Sequence, residues 1–215
     1  MDLINYIGRN HVLIFEKFIE HISLAGSAVI LACLLGIPVG FLITNNRKIS
    51  NNVMKIANVI QTIPSLALFA FAMPLFGIGA RPAIFALFLY ALLPIIKNTL
   101  IGINNVDPAI IEAAKGMGMS RFQITFKVEI PLAIAVIMGG VRIATVTGIG
   151  IATIAALIGA GGLGQFIYQG ISMLNYNMIF TGAIFSALLA LTADFVLGIV
   201  ENKLTSKGII KRESF

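Results

Sequence analysis

The sequence has little charge, one cysteine, two histidines and no tryptophan. Only 11% of its 215 residues are charged, whereas 58% are hydrophobic. A typical soluble domain has about 25% charged residues, so this composition excludes an ordinary soluble domain. It predicts an all-α integral membrane protein that contacts the lipid bilayer.

The rare residues exclude several kinds of site. A single cysteine, Cys33, cannot form a disulfide within the chain, and its position in an apolar run is typical of a small buried hydrophobe. His11 and His21 are too isolated to predict a metal site. The phosphate-binding pattern GxxxxGK[ST] is missing, which indicates that this chain does not itself bind or hydrolyse ATP.

Long apolar runs with at most one charged residue each predict about five membrane-spanning helices, since about 20 apolar helical residues cross a bilayer. The predicted spans are 22–43, 56–80, 83–103, a fourth that begins at Pro131 and a fifth from about 178 to 200. Pro64 and Pro74 predict that the second span is kinked. Gly36 and Gly40 are four residues apart, a weak indication of close helix packing.

Three charged segments flank these spans. Residues 1–21 combine charged and apolar positions at helical spacing, which predicts an amphipathic helix on the membrane surface before the first span. Residues 45–52 are predicted to form a short basic loop, and residues 201–215 a basic tail. The predicted organisation is therefore an N-terminal segment 1–21, a membrane domain 22–200 and a tail 201–215.

The stretch 107–130 is a polar island between apolar spans. Asp107 and Pro108 predict a helix start, and that helix should run to about Lys115, where Gly116 and Gly118 break it. Ser120 and Gln123 have the spacing of a capping box, so a second short helix should follow at once. Two short helices that meet at a glycine turn would form a docking surface.

At these residues the sequence resembles a known family. Glu112-Ala113-Ala114, then Gly118 after three residues, then Val128, Ile130 and Pro131 resemble the EAA loop of ABC-importer membrane subunits, with Val-Glu-Ile-Pro in place of Ile-x-Leu-Pro. The resemblance implies a type I ABC importer permease whose cytoplasmic loop docks on a separate ATPase subunit. The docking residues that it implies are Glu112, Ala113, Ala114, Lys115, Gly116, Gly118 and Arg121.

The stretches LYALLPIIKNTLIGINNVDPAIIEAAKGMGM and IATIAALIGAGGLG are similar to permeases of bacterial osmoprotectant importers. That similarity implies quaternary amines such as glycine betaine, carnitine or choline as cargo. It also implies a second permease, identical or paralogous, two ATPase subunits that hold ATP and magnesium, and an extracellular substrate-binding protein. No cofactor on this chain and no nucleic-acid partner are expected, despite the net charge of +6.

Two alternatives stay open at this point. A methionine-type or other five-span ABC permease would share every feature of the loop. An ion-coupled secondary transporter would need acidic coupling sites in mid-membrane, and Asp194 is the only acidic residue well within a predicted span.

A cytoplasmic EAA loop predicts the topology by counting spans. The N-terminus should lie outside the bacterial cell membrane and the C-terminal tail in the cytoplasm, which leaves most basic residues inside. A sixth span within the uncharged stretch 143–193 would reverse the position of the tail.

Neutral polar residues near Pro64 and in the fourth span predict the wall of a transport passage, because neutral dipoles let a zwitterion or a cation pass without trapping it. They are Gln61, Thr62, Ser65, Thr145, Thr147 and Thr153. Near Pro64 the alternative is a proline kink whose freed carbonyls are satisfied by neighbouring residues.

The sequence GAGGLG matches the dinucleotide-binding pattern GxGxxG, but it follows a membrane span and has no acidic residue about 20 positions later. Its glycines instead predict a tight turn or a close helix approach at the outer end of the passage. They are Gly159, Gly161, Gly162 and Gly164.

Arg142 should lie roughly 16 Å into the bilayer at 1.5 Å per helical residue, where an unpaired charge is costly. Asp194 should lie roughly 10 Å from the same inner face, within reach of a long arginine side chain. We therefore predict an Arg142–Asp194 ion pair between the fourth and fifth spans. Two alternatives are that Asp194 pairs with Lys97 and that Arg142 faces a water-filled pathway.

Overall fold

The computed structural model describes residues 3–44 and 46–205, and all regular secondary structure within them is helical. Four helical segments are long and apolar enough to cross a membrane, and a bent helix pair brings the number to five if it counts as one span. The count of about five spans agrees with the prediction. Residues 206–215, which hold most of the predicted basic tail, lie outside the described residues.

The first helix, α1 (Leu3–Ile43), is continuous, with no helix break at residue 21, where the predicted surface segment ends. Its 41 residues extend about 60 Å, roughly twice the thickness of the hydrocarbon core. Charged and polar side chains near its middle do not require a break, because Glu20 and His21 bind the backbone of a distant loop.

The second predicted span is two helices, α2 (Arg47–Thr62) and α3 (Ser65–Phe76), whose axes differ by 100°. Pro64 accounts for this bend, since proline disfavours helical conformation in the residue before it, whereas Pro74 lies inside α3. The predicted basic loop 45–52 is wrong from residue 47 onward. Asn46 caps α2 by accepting hydrogen bonds from the backbone N–H groups of Lys48 and Ile49.

The membrane core is built from α1, α4 (Ala80–Asn104) and α7 (Ile130–Ile154), with α9 (Tyr176–Leu204) against α7. Small residues face each other across these helices. The buried alanines are Ala25, Ala28 and Ala32 on α1, Ala83, Ala86 and Ala91 on α4, and Ala133, Ala144 and Ala152 on α7. Gly36 and Gly40 face α4 as predicted, because a Cβ on Gly40 would lie 2.6 Å from the Thr99 side chain.

The polar stretch 107–130 contains α5 (Pro108–Gly116) and α6 (Arg121–Ile124). A separate second short helix was predicted, but α6 continues through a π-helical turn, Thr125–Glu129, directly into α7. Pro131 explains the turn, since it lacks a backbone donor near the start of α7. The Ile130 N–H bonds the Thr125 carbonyl, five residues earlier.

After α7, a 3₁₀ turn (Ala155–Ile158) leads into the glycine-rich loop that contains GAGGLG. The short helix α8 (Gly164–Ser172) follows and packs on α9. The loop therefore lies at the end of α7 opposite to the polar stretch.

Candidate functional site

The polar stretch forms a capped turn on the protein surface, which we term the coupling loop (residues 107–130). The Asp107 carboxylate accepts a hydrogen bond from the Ala109 N–H at 2.9 Å. Ser120 and Gln123 form the predicted capping box, with side chain to backbone distances of 2.8 and 3.3 Å. Gly118 has φ of +77°, a conformation that favours glycine. Gly116 is the last residue of α5, so Gly118 alone makes the left-handed turn.

The predicted docking residues do not all face outward. Glu112, Ala113, Lys115, Gly116 and Gly118 are exposed, whereas Ala114 is buried against the rest of the chain. The surface also presents apolar side chains that sequence reasoning missed. They are Ile110, Met117, Phe122 and Phe126.

Arg121 bonds within the chain rather than pointing only toward a partner. Its Nη1 atom lies 2.8 Å from Glu129 Oε1, and the Thr125 hydroxyl donates to Glu129 Oε2 at 2.8 Å. Glu129 is only 3% exposed. Its carboxylate therefore ties the start of α6 to the start of α7 across the π-helical turn, a role that sequence reasoning did not assign.

A cavity of about 560 Å³ lies between α2, α4 and α7. We term it the central cavity. Its lining residues are Gln61, Tyr90, Leu93, Pro94, Lys97, Asn98, Ile101, Ile143, Thr147 and Ile151. Of the six predicted passage residues, only Gln61 and Thr147 line it.

The remaining predicted passage residues do not line this cavity. The hydroxyls of Thr62, Thr145 and Thr153 donate to the carbonyls of Val59, Val141 and Gly150 on their own helices. Thr147, which does line the cavity, bonds its own helix in the same way, so these bonds do not decide which threonines face a passage. The fourth, Ser65, begins α3 beyond the bend.

The bend near Pro64 is held by α4. Gln61 Nε2 donates to the Tyr90 carbonyl at 3.1 Å, and the Tyr90 hydroxyl donates to the Ile63 carbonyl. The proline-kink interpretation is therefore supported at Ile63, whereas a passage at Gln61 stays a prediction. Gln61 lines the central cavity, while a backbone carbonyl beside Pro64 is satisfied by a neighbouring helix.

The glycine-rich loop makes a tight turn and a close approach. Three of its glycines, Gly159, Gly161 and Gly162, have positive φ. At the fourth, Gly164, a Cβ would lie 1.9 Å from the Thr153 carbonyl oxygen, so only glycine fits there.

Two residues of α1 hold this loop in place. Glu20 Oε2 accepts a hydrogen bond from the Gly162 N–H at 2.8 Å, while Lys17 pairs with Glu20 Oε1 at 2.7 Å. His21 is fully buried, with Nδ1 facing the Leu163 N–H at 3.2 Å and Nε2 facing the Ile149 carbonyl at 3.0 Å. These partners require Nδ1 to accept and Nε2 to donate, so the imidazole is neutral. Its partners are 128 and 142 residues away, too distant for sequence reasoning to identify.

The structure brings Arg142 and Asp194 together. Arg142 Nε and Nη2 lie 2.9 and 3.0 Å from the two carboxylate oxygens of Asp194. Sequence reasoning missed Glu201, whose Oε2 lies 2.8 Å from Arg142 Nη1. Arg142 also lines a groove between α7 and α9 and is about one-third exposed, so the pair is less buried than its expected depth implied. Lys97 pairs with neither carboxylate and lines the central cavity.

Among residues 3–44 and 46–205, no group of three or more His, Cys, Asp or Glu is placed to hold a metal ion. The coupling loop, the central cavity and the glycine-rich loop are thus the features available for function.

The family model for the binding-protein-dependent transport system inner membrane component matches residues 34–206. The chain belongs to this family. It is thus the non-enzymatic permease component of an ABC importer, a multi-pass protein of the inner membrane, and ATP is bound by a separate subunit.

Similar proteins cover nearly the whole permease. It is 47% identical over 199 residues to the carnitine transport permease protein OpuCB of Listeria monocytogenes, covering 93% of this chain and 91% of that protein. It is 44% identical over 201 residues to the glycine betaine/carnitine/choline transport system permease protein OpuCD of Bacillus subtilis, covering 93% and 88%. It is 42% identical over 214 residues to the osmoprotectant import permease protein OsmW of Salmonella typhimurium, covering 97% and 100%.

A solved structure shares the fold of this permease. A chain of the MetNI methionine ABC transporter, in inward-facing conformations, matches with a TM-score of 0.84 and 24% sequence identity, covering 91% of this chain and 98% of that one. The expected type I importer architecture is confirmed at the level of the fold.

Proposed function

We propose that this permease imports osmoprotectant quaternary amines, with glycine betaine, carnitine and choline as its candidate cargoes. The observation that carries the proposal is identity of 42–47% over more than nine-tenths of the chain to permeases named for these solutes. A methionine-type permease has less support, because the resemblance to the methionine transporter is one of fold at 24% identity.

The proposed assembly contains two permeases, identical or paralogous, with two ATPase subunits on their coupling loops and a substrate-binding protein on the opposite side. The N-terminus lies outside and the C-terminal end of α9 in the cytoplasm. Basic residues near the coupling loop and the end of α9 support this orientation, since such residues favour the cytoplasmic side.

In the proposed mechanism, closure of the ATPase dimer moves the coupling loop, and the permeases alternate between inward-open and outward-open states. The continuous helical path from α6 through the π turn into α7 supports this role, because a movement of α6 reaches the wall of the central cavity without crossing a flexible joint. The glycine-rich loop is proposed to close the outer end.

An ion-coupled mechanism has less support. Its most plausible coupling residue, Asp194, already forms a bidentate ion pair with Arg142. A carboxylate held in this way is poorly suited to bind and release a cation.

The cargo can be tested with the complete transporter in proteoliposomes, with ATP on the side of the ATPase. Uptake of radiolabelled glycine betaine, carnitine and choline is measured beside uptake of methionine. We expect ATP-dependent uptake of at least one quaternary amine and none of methionine. Methionine uptake, or quaternary-amine uptake driven by an ion gradient without ATP, would contradict the proposal.

The docking role of the coupling loop can be tested at Gly118, which is exposed and has no atom within 4 Å of its Cβ position. Gly118→Arg should abolish ATPase binding, because a bulky charged side chain prevents close docking. Gly118→Asn is the matched control, since asparagine tolerates positive φ and adds little bulk. The measurement is co-purification of the ATPase, and equal co-purification with both variants would refute this docking surface.

A further inference from the structure

The central cavity contains one charged residue. Among the described residues that line it, Lys97 is the only one with a charged side chain, and the others are apolar or neutral. Lys97 lies on α4, about 10 Å before the end of that helix at 1.5 Å per residue, and its side chain is exposed to the cavity. A lysine at this position places an ammonium group within the wall of the membrane domain.

The two acidic residues in the part of α9 near this depth already form ion pairs. Asp194 and Glu201 both bind Arg142 in the groove between α7 and α9. Within residues 3–44 and 46–205, Lys97 itself forms no ion pair. The two sides of α7 therefore differ, because one holds a paired arginine while the other faces an ammonium group without a counter-charge.

An unpaired positive charge in a cavity with low-dielectric walls attracts anions and repels cations. The cavity offers little to a quaternary ammonium group in return. Tyr90 is the one aromatic side chain among its described lining residues, so the cavity has no aromatic cage for a cation. Its chemistry is therefore suited to the carboxylate end of a solute.

We propose that Lys97 forms a carboxylate-binding subsite in the central cavity and makes the passage selective for zwitterionic amines over simple cations. Glycine betaine and carnitine carry a carboxylate beside the quaternary ammonium group, whereas choline carries only the cation. Asn98 and Gln61 line the cavity beside Lys97, and each amide nitrogen uses one of its two N–H groups to bond a backbone carbonyl, of Pro94 and Tyr90, which leaves one N–H on each for a solute. This inference rests on the proposed function and narrows its substrate class.

The charge of the cavity can be measured without any transported solute. Thr147→Cys, in a Cys33→Ala background with cysteine-free partner subunits, places a thiol on the cavity wall. Its rates of reaction with an anionic and a cationic methanethiosulfonate reagent are compared in the assembled transporter. We expect Lys97→Gln to lower the anionic-to-cationic rate ratio by roughly fivefold or more, as removal of a nearby charge requires.

Two control variants make the result specific. Lys55→Gln removes the same charge from an exposed position on α2 that does not line the cavity, and it should leave the ratio unchanged. Lys97→Arg keeps the charge and should also leave it unchanged. An unchanged ratio in Lys97→Gln would overturn the proposal, because it would mean that a partner subunit already neutralises Lys97.

Substrate selectivity is measured with the same variants in proteoliposomes, at solute concentrations that saturate the binding protein. The turnover number then reports passage of the solute through the permease rather than its capture by the binding protein. We expect Lys97→Gln to lower the turnover of glycine betaine relative to choline severalfold, while Lys55→Gln leaves that ratio unchanged. If Lys97→Gln lowers the ratio of reagent rates but leaves the ratio of glycine betaine to choline turnover unchanged, the carboxylate-binding subsite is refuted. Lys97 would then charge the cavity without selecting the solute. Failure of the wild-type transporter to move any quaternary amine would instead refute the proposed function, and the reagent rates would still test the charge of the cavity.

Discussion

At the residue scale, several glycines of this permease lie in close contact with a neighbouring helix or loop. Added Cβ atoms would lie 2.7 Å from the Pro94 carbonyl at Gly140, 2.8 Å from the Leu163 carbonyl at Gly182 and 1.9 Å from the Thr153 carbonyl at Gly164. Helices in a membrane gain little from burying apolar area, so backbone contact through small residues takes its place.

Gly164→Ala should therefore destabilise the permease by about 1–3 kcal/mol or more, since the new methyl group overlaps a backbone oxygen that cannot move freely. Gly150→Ala is the matched control, because Gly150 is exposed on α7 and has no atom within 4 Å of its Cβ position. That change should be neutral or stabilising by up to about 1 kcal/mol. The measurement is thermal unfolding in detergent, and equal midpoints for the two variants would contradict the close approach.

The Arg142 cluster gives a second prediction at this scale. Asp194→Asn should lower the unfolding midpoint only modestly, because Arg142 keeps Glu201 as a partner. Adding Glu201→Gln should lower it by more than the sum of the two single changes, as residues of one network couple. Asp107→Asn is the control, since asparagine caps a helix as well as aspartate does. Additive effects of the two changes would show that the carboxylates act independently.

At the scale of elements, the coupling loop is joined to the membrane domain asymmetrically. A glycine turn separates α5 from α6, whereas no break separates α6 from α7. The buried Glu129 reinforces this second junction through Arg121 and Thr125. A movement of α6 should therefore be transmitted to α7 more directly than to α4.

Glu129→Gln should weaken this transmission, because it replaces charge-assisted hydrogen bonds with neutral ones. We expect severalfold fewer solute molecules transported per ATP hydrolysed, with ATPase binding retained. Lys127→Gln, an exposed change two residues away, serves as the control and should leave this ratio unchanged. Simultaneous measurement of uptake and phosphate release gives the ratio, and an unaltered value in Glu129→Gln would assign the carboxylate a purely structural role.

At the scale of the whole molecule, the coupling loop and the glycine-rich loop lie at opposite ends of α7. The proposed orientation therefore places the turn after α8 and the start of α1 outside when the coupling loop is inside. Each region offers a highly exposed residue for labelling. Ile4 is 83% exposed, Met117 74% and Leu174 79%.

Cysteines at these three positions, in a Cys33→Ala background, should respond differently to a membrane-impermeant thiol reagent. In right-side-out vesicles we expect labelling of Ile4→Cys and Leu174→Cys, and labelling of Met117→Cys only after permeabilisation. Inside-out vesicles supply the control and should reverse the pattern. Labelling of Met117→Cys in sealed right-side-out vesicles would refute the proposed orientation.

The sequence by itself determined the features that depend on short-range signals. Hydropathy located α4, α9 and the start of α7 to within a few residues, because a membrane span must be apolar along its whole length. The caps at Asp107 and Ser120 were also predictable, since a capping side chain bonds a backbone group two or three residues away.

Short-range signals were not enough where a polar side chain had more than one possible hydrogen-bond partner. The helix α1 has no break at residue 21, where the polar residues Glu20 and His21 bond the backbone of another loop rather than water. The threonine hydroxyls predicted to line a passage also bond their own helices, which composition does not reveal and which leaves their role in a passage a prediction.

Only the tertiary structure decided which charges are paired. Depth along a helix brought Asp194 within reach of the long Arg142 side chain, but it left Lys97 as a rival at a depth similar to that of Asp194 and did not identify Glu201. The choice depends on how α4, α7 and α9 are rotated about their axes, and that rotation is set by contacts between residues far apart in sequence. The same rotation turns Lys97 toward the central cavity, because the neighbouring α4 residues Ile95 and Thr99 face α1, in close contact with its glycines.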